Sequence, residues 1–172
     1  MSEVIEHPLS ADALSRRWRD ILSDPRLANF VGKIDLDLWG RIIMNPVNTE
    51  HGAISAHLAV LLCTQLGGRT LVEVGVRTPS AVYAPDVAWC TDEFLAVHRT
   101  ETPLETAPQI CVEIASPSNA IHDFRAKAHA YIEAGALEAW ILFPRGRRVE
   151  FYGKSGTVDR SSFEVDLSGV FD

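Results

Sequence analysis

The segment Ile110-Cys111-Val112-Glu113-Ile114-Ala115 narrows most what this chain can become. A nearly continuous apolar run of this length reads as a strand covered on both faces, as in the interior of a sheet. Glu113 sits inside that run, and a lone carboxylate is costly to bury unless it is paired or binds a metal. A second acid, Asp86, stands near the start of another buried-looking strand, Pro85-Asp86-Val87-Ala88-Trp89. A lysine then closes Asp123-Phe124-Arg125-Ala126-Lys127, on a segment patterned as a helix. Two such acids with a nearby lysine form a combination that hydrolytic metal sites use, so the chain is expected to carry out chemistry.

A length of 172 residues fits one domain, or one domain with a small appendage. The division expected is a helical extension over residues 1–30 and a main domain over 31–172. No apolar run approaches the roughly 20 residues needed to span a bilayer. Residues 1–6 lack the basic start and apolar core of a signal peptide, so a cytoplasmic location without membrane contact is expected. The net charge of −7 argues against a broad basic surface for coating nucleic acid, while leaving room for local contact with a phosphodiester. Cys63, Cys90 and Cys111 lack Cys-x-x-Cys spacing and read as buried free thiols. They and the histidines offer no recognisable zinc spacing.

Periodicity gives the order of elements. Residues 9–24 read as a helix, with Ser10 as a candidate N-cap and Leu14, Trp18, Ile21 and Leu22 as its stripe. Residues 34–38 and 41–44 read as a hairpin turned at Trp39-Gly40, before a break at Pro46. Asn48 or Thr49 is placed to cap a helix running to Leu66, stopped by Gly67-Gly68, with Ile54, Leu58, Leu61, Leu62 and Leu66 inward. Residues 71–77 alternate as a strand, and residues 91–95 form a short capped helix or turn. After the Glu113 strand, residues 119–134 read as a helix ending at Gly135. Further strands are expected over 138–143, 148–152 and 162–167. The fold class that follows is α/β (α+β), a mixed sheet flanked by helices.

On the helix after Glu113, Ile121, Phe124, Ala128 and Tyr131 are spaced to face the sheet. Lys127 borders that stripe, Asp123 lies on the same edge one turn earlier, and Lys127 is thereby able to project toward Glu113. Asp86 and Glu113 together suit a hard divalent cation such as magnesium, with the Ile114 backbone carbonyl as a further ligand. Such a cation lowers the pKa of a bound water and neutralises charge building on phosphorus. The Lys127 ammonium would orient that water or stabilise charge.

These residues carry a resemblance to the PD-(D/E)XK, restriction-endonuclease-like nucleases, and more closely to the Uma-two family of small bacterial proteins classed as endonucleases. The matching pieces are Thr49-Glu50-His51, Ala84-Pro85-Asp86-Val87-Ala88, and residues 108–118 around Glu113. Asp123, Lys127, Tyr131 and the run 134–141 complete the resemblance, which spans residues 33–153. It implies a restriction-endonuclease-like mixed β-sheet, Asp86 and Glu113 as ligands of magnesium or manganese, and Glu50 as an auxiliary acid. The parent superfamily carries its lysine two residues after the second acid, where this chain has Ala115, so the resemblance makes Lys127 the replacement.

Each residue also has a plainer reading. Asp86 suits a turn after Pro85, Glu113 an ion pair with Lys127 or Arg125, and Lys127 a solvated helix face. Ser116 and Ser118 suit helix capping, His51 the edge of a core, and Arg145, Arg147 and Arg148 a solvated turn able to hold phosphate. The function expected is a divalent-metal-dependent endonuclease acting on DNA. Asp86, Glu113 and Lys127 would be catalytic, with Glu50 and Asp123 assisting. The alternative is a non-catalytic module that binds nucleic acid or protein and keeps the fold. A two-fold homodimer would suit duplex cleavage.

Overall fold

The computed structural model describes residues 7–27, 32–45, 48–116 and 120–172. Its elements run α1 (Ala11–Leu22), β1 (Lys33–Leu36), β2 (Ile42–Asn45), α2 (Thr49–Leu66), β3 (Arg69–Leu71), β4 (Val76–Arg77), β5 (Val82–Tyr83), β6 (Val87–Cys90) and α3 (Asp92–His98). They continue with β7 (Ile110–Ile114), α4 (Ile121–Glu133), β8 (Glu138–Phe143), β9 (Arg148–Gly153) and β10 (Gly156–Val158). One sheet has the order β10-β9-β8-β7-β6-β3, a smaller one β2-β1-β5-β4. The larger sheet is mixed: β7 and β8 are parallel, joined through α4, and its other pairs are antiparallel. Among the described residues, no helix is long and apolar enough to cross a membrane.

The apolar runs of β7 and β8 follow from cover on both faces. Ile110, Val112 and Ile114 join Ile54, Leu58 and Leu62 of α2 in one core. Cys111, Ala139 and Ile141 join Phe124, Ala128 and Tyr131 of α4 in another. A third core lies over the small sheet, where Leu14, Trp18 and Ile21 of α1 pack on Leu36, Val82 and Ala84. The N-terminal helix therefore packs on this chain's own strands.

Local chemistry sets the ends of these elements as read from sequence. Ser10 caps α1 by accepting the Ala13 N–H at 3.3 Å, and Asn48 caps α2 by accepting that of His51 at 2.9 Å. Gly67 ends α2, and Gly68 has φ +61° with its backbone against Cys90. A Cβ on Gly68 would come within 2.4 Å of the Cys90 carbonyl oxygen, so a glycine is needed where β3 meets β6.

Elsewhere the structure corrects the pattern. The strand expected over 71–77 is two short strands in different sheets, β3 and β4, interrupted where Glu73 takes φ 53°. The expected strand over 162–167 does not form. The Glu138 carboxylate instead accepts the Ser162 N–H and hydroxyl, each at 2.6 Å, drawing that backbone out of any ladder, while Phe163, Val165 and Leu167 pack on the α2-side core. Ser116 does not cap α4, whose N-cap is Ala120 without a side-chain bond; Ser118, Asn119 and the break at Pro46 lie outside the described residues. Ile121 is 48% exposed rather than part of the buried stripe. Cys90 and Cys111 are buried and Cys63 is half-buried, all free thiols.

Trp18 is 4% exposed and Leu22, one turn on, is 58% exposed. Trp18→Ala is expected to lower unfolding free energy by about 3–5 kcal/mol and Leu22→Ala by at most about 0.5 kcal/mol, read from urea denaturation. Equal effects would mean that α1 is not part of the cooperative core.

Candidate active site

Alternation along β7 turns Glu113 toward α4 on the same face as Cys111. On α4, Lys127 and Tyr131 are one turn apart and both reach it. The Tyr131 hydroxyl donates to Glu113 Oε1 at 2.6 Å, and Lys127 Nζ lies 3.4 Å from Glu113 Oε2. Asp86 immediately precedes β6. Its N–H donates to the Val112 carbonyl at 2.9 Å, and its Oδ2 accepts the Ile114 N–H at 2.6 Å. That pairing seats the second carboxylate beside the first.

The small sheet completes the cluster. Lys33 and Asp35, two apart on β1, share a face, while Leu36 enters the α1 core. Lys33 Nζ donates to Asp86 Oδ1 at 2.5 Å and to Glu113 Oε2 at 3.0 Å. Lys127 Nζ donates to Asp35 Oδ2 at 2.7 Å, and Asp35 Oδ1 accepts the Ala84 N–H at 2.8 Å. From the first turn of α2, His51 Nε2 lies 3.1 Å from Asp86 Oδ2. Asp35, Asp86, Glu113 and Lys33 are all buried.

Burial pushes the Asp86 carboxyl upward, but Lys33 and His51 outweigh it and hold the group at about 2. The mutual elevation expected of a bare acid pair is absent at Asp86 because an ammonium stands between the acids. Burial acts to strip the proton from Lys33 and Lys127, yet the surrounding carboxylates prevail and raise both above the usual lysine value. Both therefore stay charged at neutral pH. Tyr131 is raised by burial and then by Glu113, and remains a neutral donor.

Of the residues singled out from sequence, Asp86, Glu113 and Lys127 converge. Lys127 is closer to Asp35 than to Glu113. Glu50 lies nearby on the wall of a cleft of about 220 Å³ that also borders His51, Ile114, Phe124, Phe143 and Arg145. Asp123 is not brought in: its side chain is exposed and faces His122. Arg125 pairs with Glu150 rather than Glu113, and Arg147 and Arg148 are engaged by Asp172 and Glu150. Sequence reasoning assigned no role to Lys33 or Asp35, and it read His51, one of the residues of the Thr49-Glu50-His51 piece, as a first-turn or core-edge histidine rather than a ligand. The one available signal was the Lys-x-Asp alternation at the start of β1.

Among the described residues, no group of three or more His, Cys, Asp or Glu side chains is arranged to hold a metal. Asp86 and Glu113 nevertheless fit a magnesium-type ion, which needs only one or two carboxylates and keeps several waters. The Lys33 ammonium bonds to one oxygen from each carboxylate, so both turn an oxygen toward a common point.

Residues 32–168 match the profile of a family described as "Uma2: Putative restriction endonuclease". The fold is similar to a crystal structure described as "a putative nuclease belonging to DUF820 from Anabaena variabilis". The TM-score is 0.72 at 16% identity, covering 95% of this chain and 98% of that one. No curated protein matches.

Two outcomes follow from the cluster. Tyr131→Phe removes a buried donor to Glu113 and is expected to cost about 1–3 kcal/mol in urea denaturation; no change would show that the bond contributes nothing. The Asp86 carboxyl is held below its ordinary 3.8, so its stabilisation is full above that value and is lost as pH falls toward 2. The thermal midpoint should therefore drop on acidification from about pH 4 toward 2, and less steeply in Asp86→Asn. Parallel pH profiles would contradict this.

Proposed function

The chain belongs to the Uma2 family of restriction-endonuclease-like proteins, and from that premise we propose that it is a divalent-metal-dependent endonuclease acting on DNA. The observation that carries this reading is the convergence of Asp86 and Glu113 on one cation position beside an open cleft. These two carboxylates, with the Ile114 backbone carbonyl, would hold magnesium or manganese. When bound, the ion supplies a water of lowered pKa and neutralises charge at the phosphate.

The chain's own residues do the rest. Lys127 keeps its proton, so its part is electrostatic rather than that of a base: a fixed ammonium that orients the nucleophile or offsets developing negative charge. Asp35 anchors it at 2.7 Å. Tyr131 and the Ile114 N–H hold the two carboxylates in place. Along the cleft, Arg145 would offer a charge for a phosphate and Glu50 an auxiliary carboxylate, with the edges of the buried Phe124 and Phe143 forming part of its wall. A local contact of this kind suits a protein of net charge −7.

A second reading is favoured by one observation, the lysine between the acids: a non-catalytic module that binds nucleic acid and keeps the fold. Plasmid nicking separates the two. The purified protein is expected to cleave with magnesium or manganese, and Asp86→Asn and Glu113→Gln, checked for folding by circular dichroism, should lose at least about a hundredfold in rate. Undiminished cleavage by both variants would identify a contaminating nuclease. Retention of DNA without cleavage would support the binding module.

A further inference from the structure

We propose that Lys33 is a built-in counter-cation: its ammonium holds the position of the divalent ion between Asp86 and Glu113, so metal binding and the Lys33 contact exclude one another. This rests on the metal-site reading above and adds a conformational step to it.

The bonding pattern singles out Lys33. Asp86 Oδ2 is satisfied by the Ile114 N–H and faces His51, and Glu113 Oε1 is satisfied by Tyr131. Those contacts can persist when a metal is bound. Asp86 Oδ1 and Glu113 Oε2 are the oxygens turned toward a common point, and Lys33 Nζ fills it at 2.5 and 3.0 Å. A dication ligated by both oxygens would lie within the contact distance of the ammonium. Sterics and like-charge repulsion in this buried setting oppose joint occupancy.

Lys127 does not compete in the same way. Its shortest bond is to Asp35 at 2.7 Å, and it stands 3.4 Å from Glu113, so it keeps an anchor when a metal arrives. The anchors also differ in place. Lys127 projects from within α4, whereas Lys33 opens β1. A four-carbon stem at a strand end can swing clear with little disturbance of the Ile34 to Leu36 pairing. Charge supports the exchange: three carboxylates face two lysines, so with Lys33 in place the acids are already largely neutralised. A metal must supply more than the ammonium it replaces.

The test compares manganese binding to the wild-type protein and to Lys33→Met, using calorimetry and the loss of the free-ion paramagnetic resonance signal. Binding that persists in Asp86→Asn is subtracted. Lys33→Met is expected to bind manganese at least tenfold more tightly. In wild-type protein labelled with 15N-lysine, the Lys33 ammonium resonance should move on titration with magnesium while that of Lys127 remains protected. The resonance measurement stands alone if Lys33→Met fails to fold. Equal affinities, or a Lys33 resonance unmoved while magnesium binds at Asp86, would overturn the exchange and leave the metal site standing. No site-specific binding to either folded protein would overturn the metal site and the exchange together.

Discussion

Three carboxylates taken out of water must each find a partner, and the sharing of Lys33 between Asp86 and Glu113 is the contact on which the others depend. It joins the two sheets. β1 of the small sheet supplies Lys33 and Asp35, β7 of the large sheet supplies Glu113, and the residue before β6 supplies Asp86. α4 adds Lys127 and Tyr131, and α2 adds His51 from a turn fixed by its Asn48 cap. Removing one member of such a set leaves the others buried and short of a partner, which costs more than the pairwise contact contributes. The cluster thus links the cores on both sides of it, and its cost explains why so many elements converge there.

How much of this could be read from the sequence follows from the range of the interactions. Periodicity and capping are local, so the boundaries of α1 and α2 and the buried character of β7 were legible. A strand interior with a carboxylate in it announced a partner, and helical spacing pointed Lys127 toward it. Lys33 was not legible because its partners lie 53 and 80 residues away, and a lysine at a strand end looks like any solvated lysine. The missing strand over 162–167 has the same origin. Its alternating Phe163, Val165 and Leu167 are real, but the distant Glu138 carboxylate captures the backbone that pairing would need. Asp123 stands apart from the cluster for the opposite reason: position along a helix edge does not say how far a short side chain reaches.

Family membership and fold agree with a nuclease-like role, and the chemistry proposed for it lives in the buried charges rather than in the overall charge of the chain. On the proposed reading, an acidic protein meets a polyanion through a small contact, the cleft bordered by Arg145. Lys127, kept protonated by the acids around it, would in that chemistry contribute a fixed positive charge that needs no rearrangement. Lys33 places an ammonium between the paired acids, which offsets their charge within the chain itself.

The central claim is that Asp86 and Glu113 form a cation site now bridged by Lys33. Crystals soaked in manganese and measured near its absorption edge test it directly. The account predicts an anomalous peak between Asp86 Oδ1 and Glu113 Oε2, with the Lys33 side chain turned away. A site without a peak, with the Lys33 ammonium still bonded to both carboxylates, would contradict it.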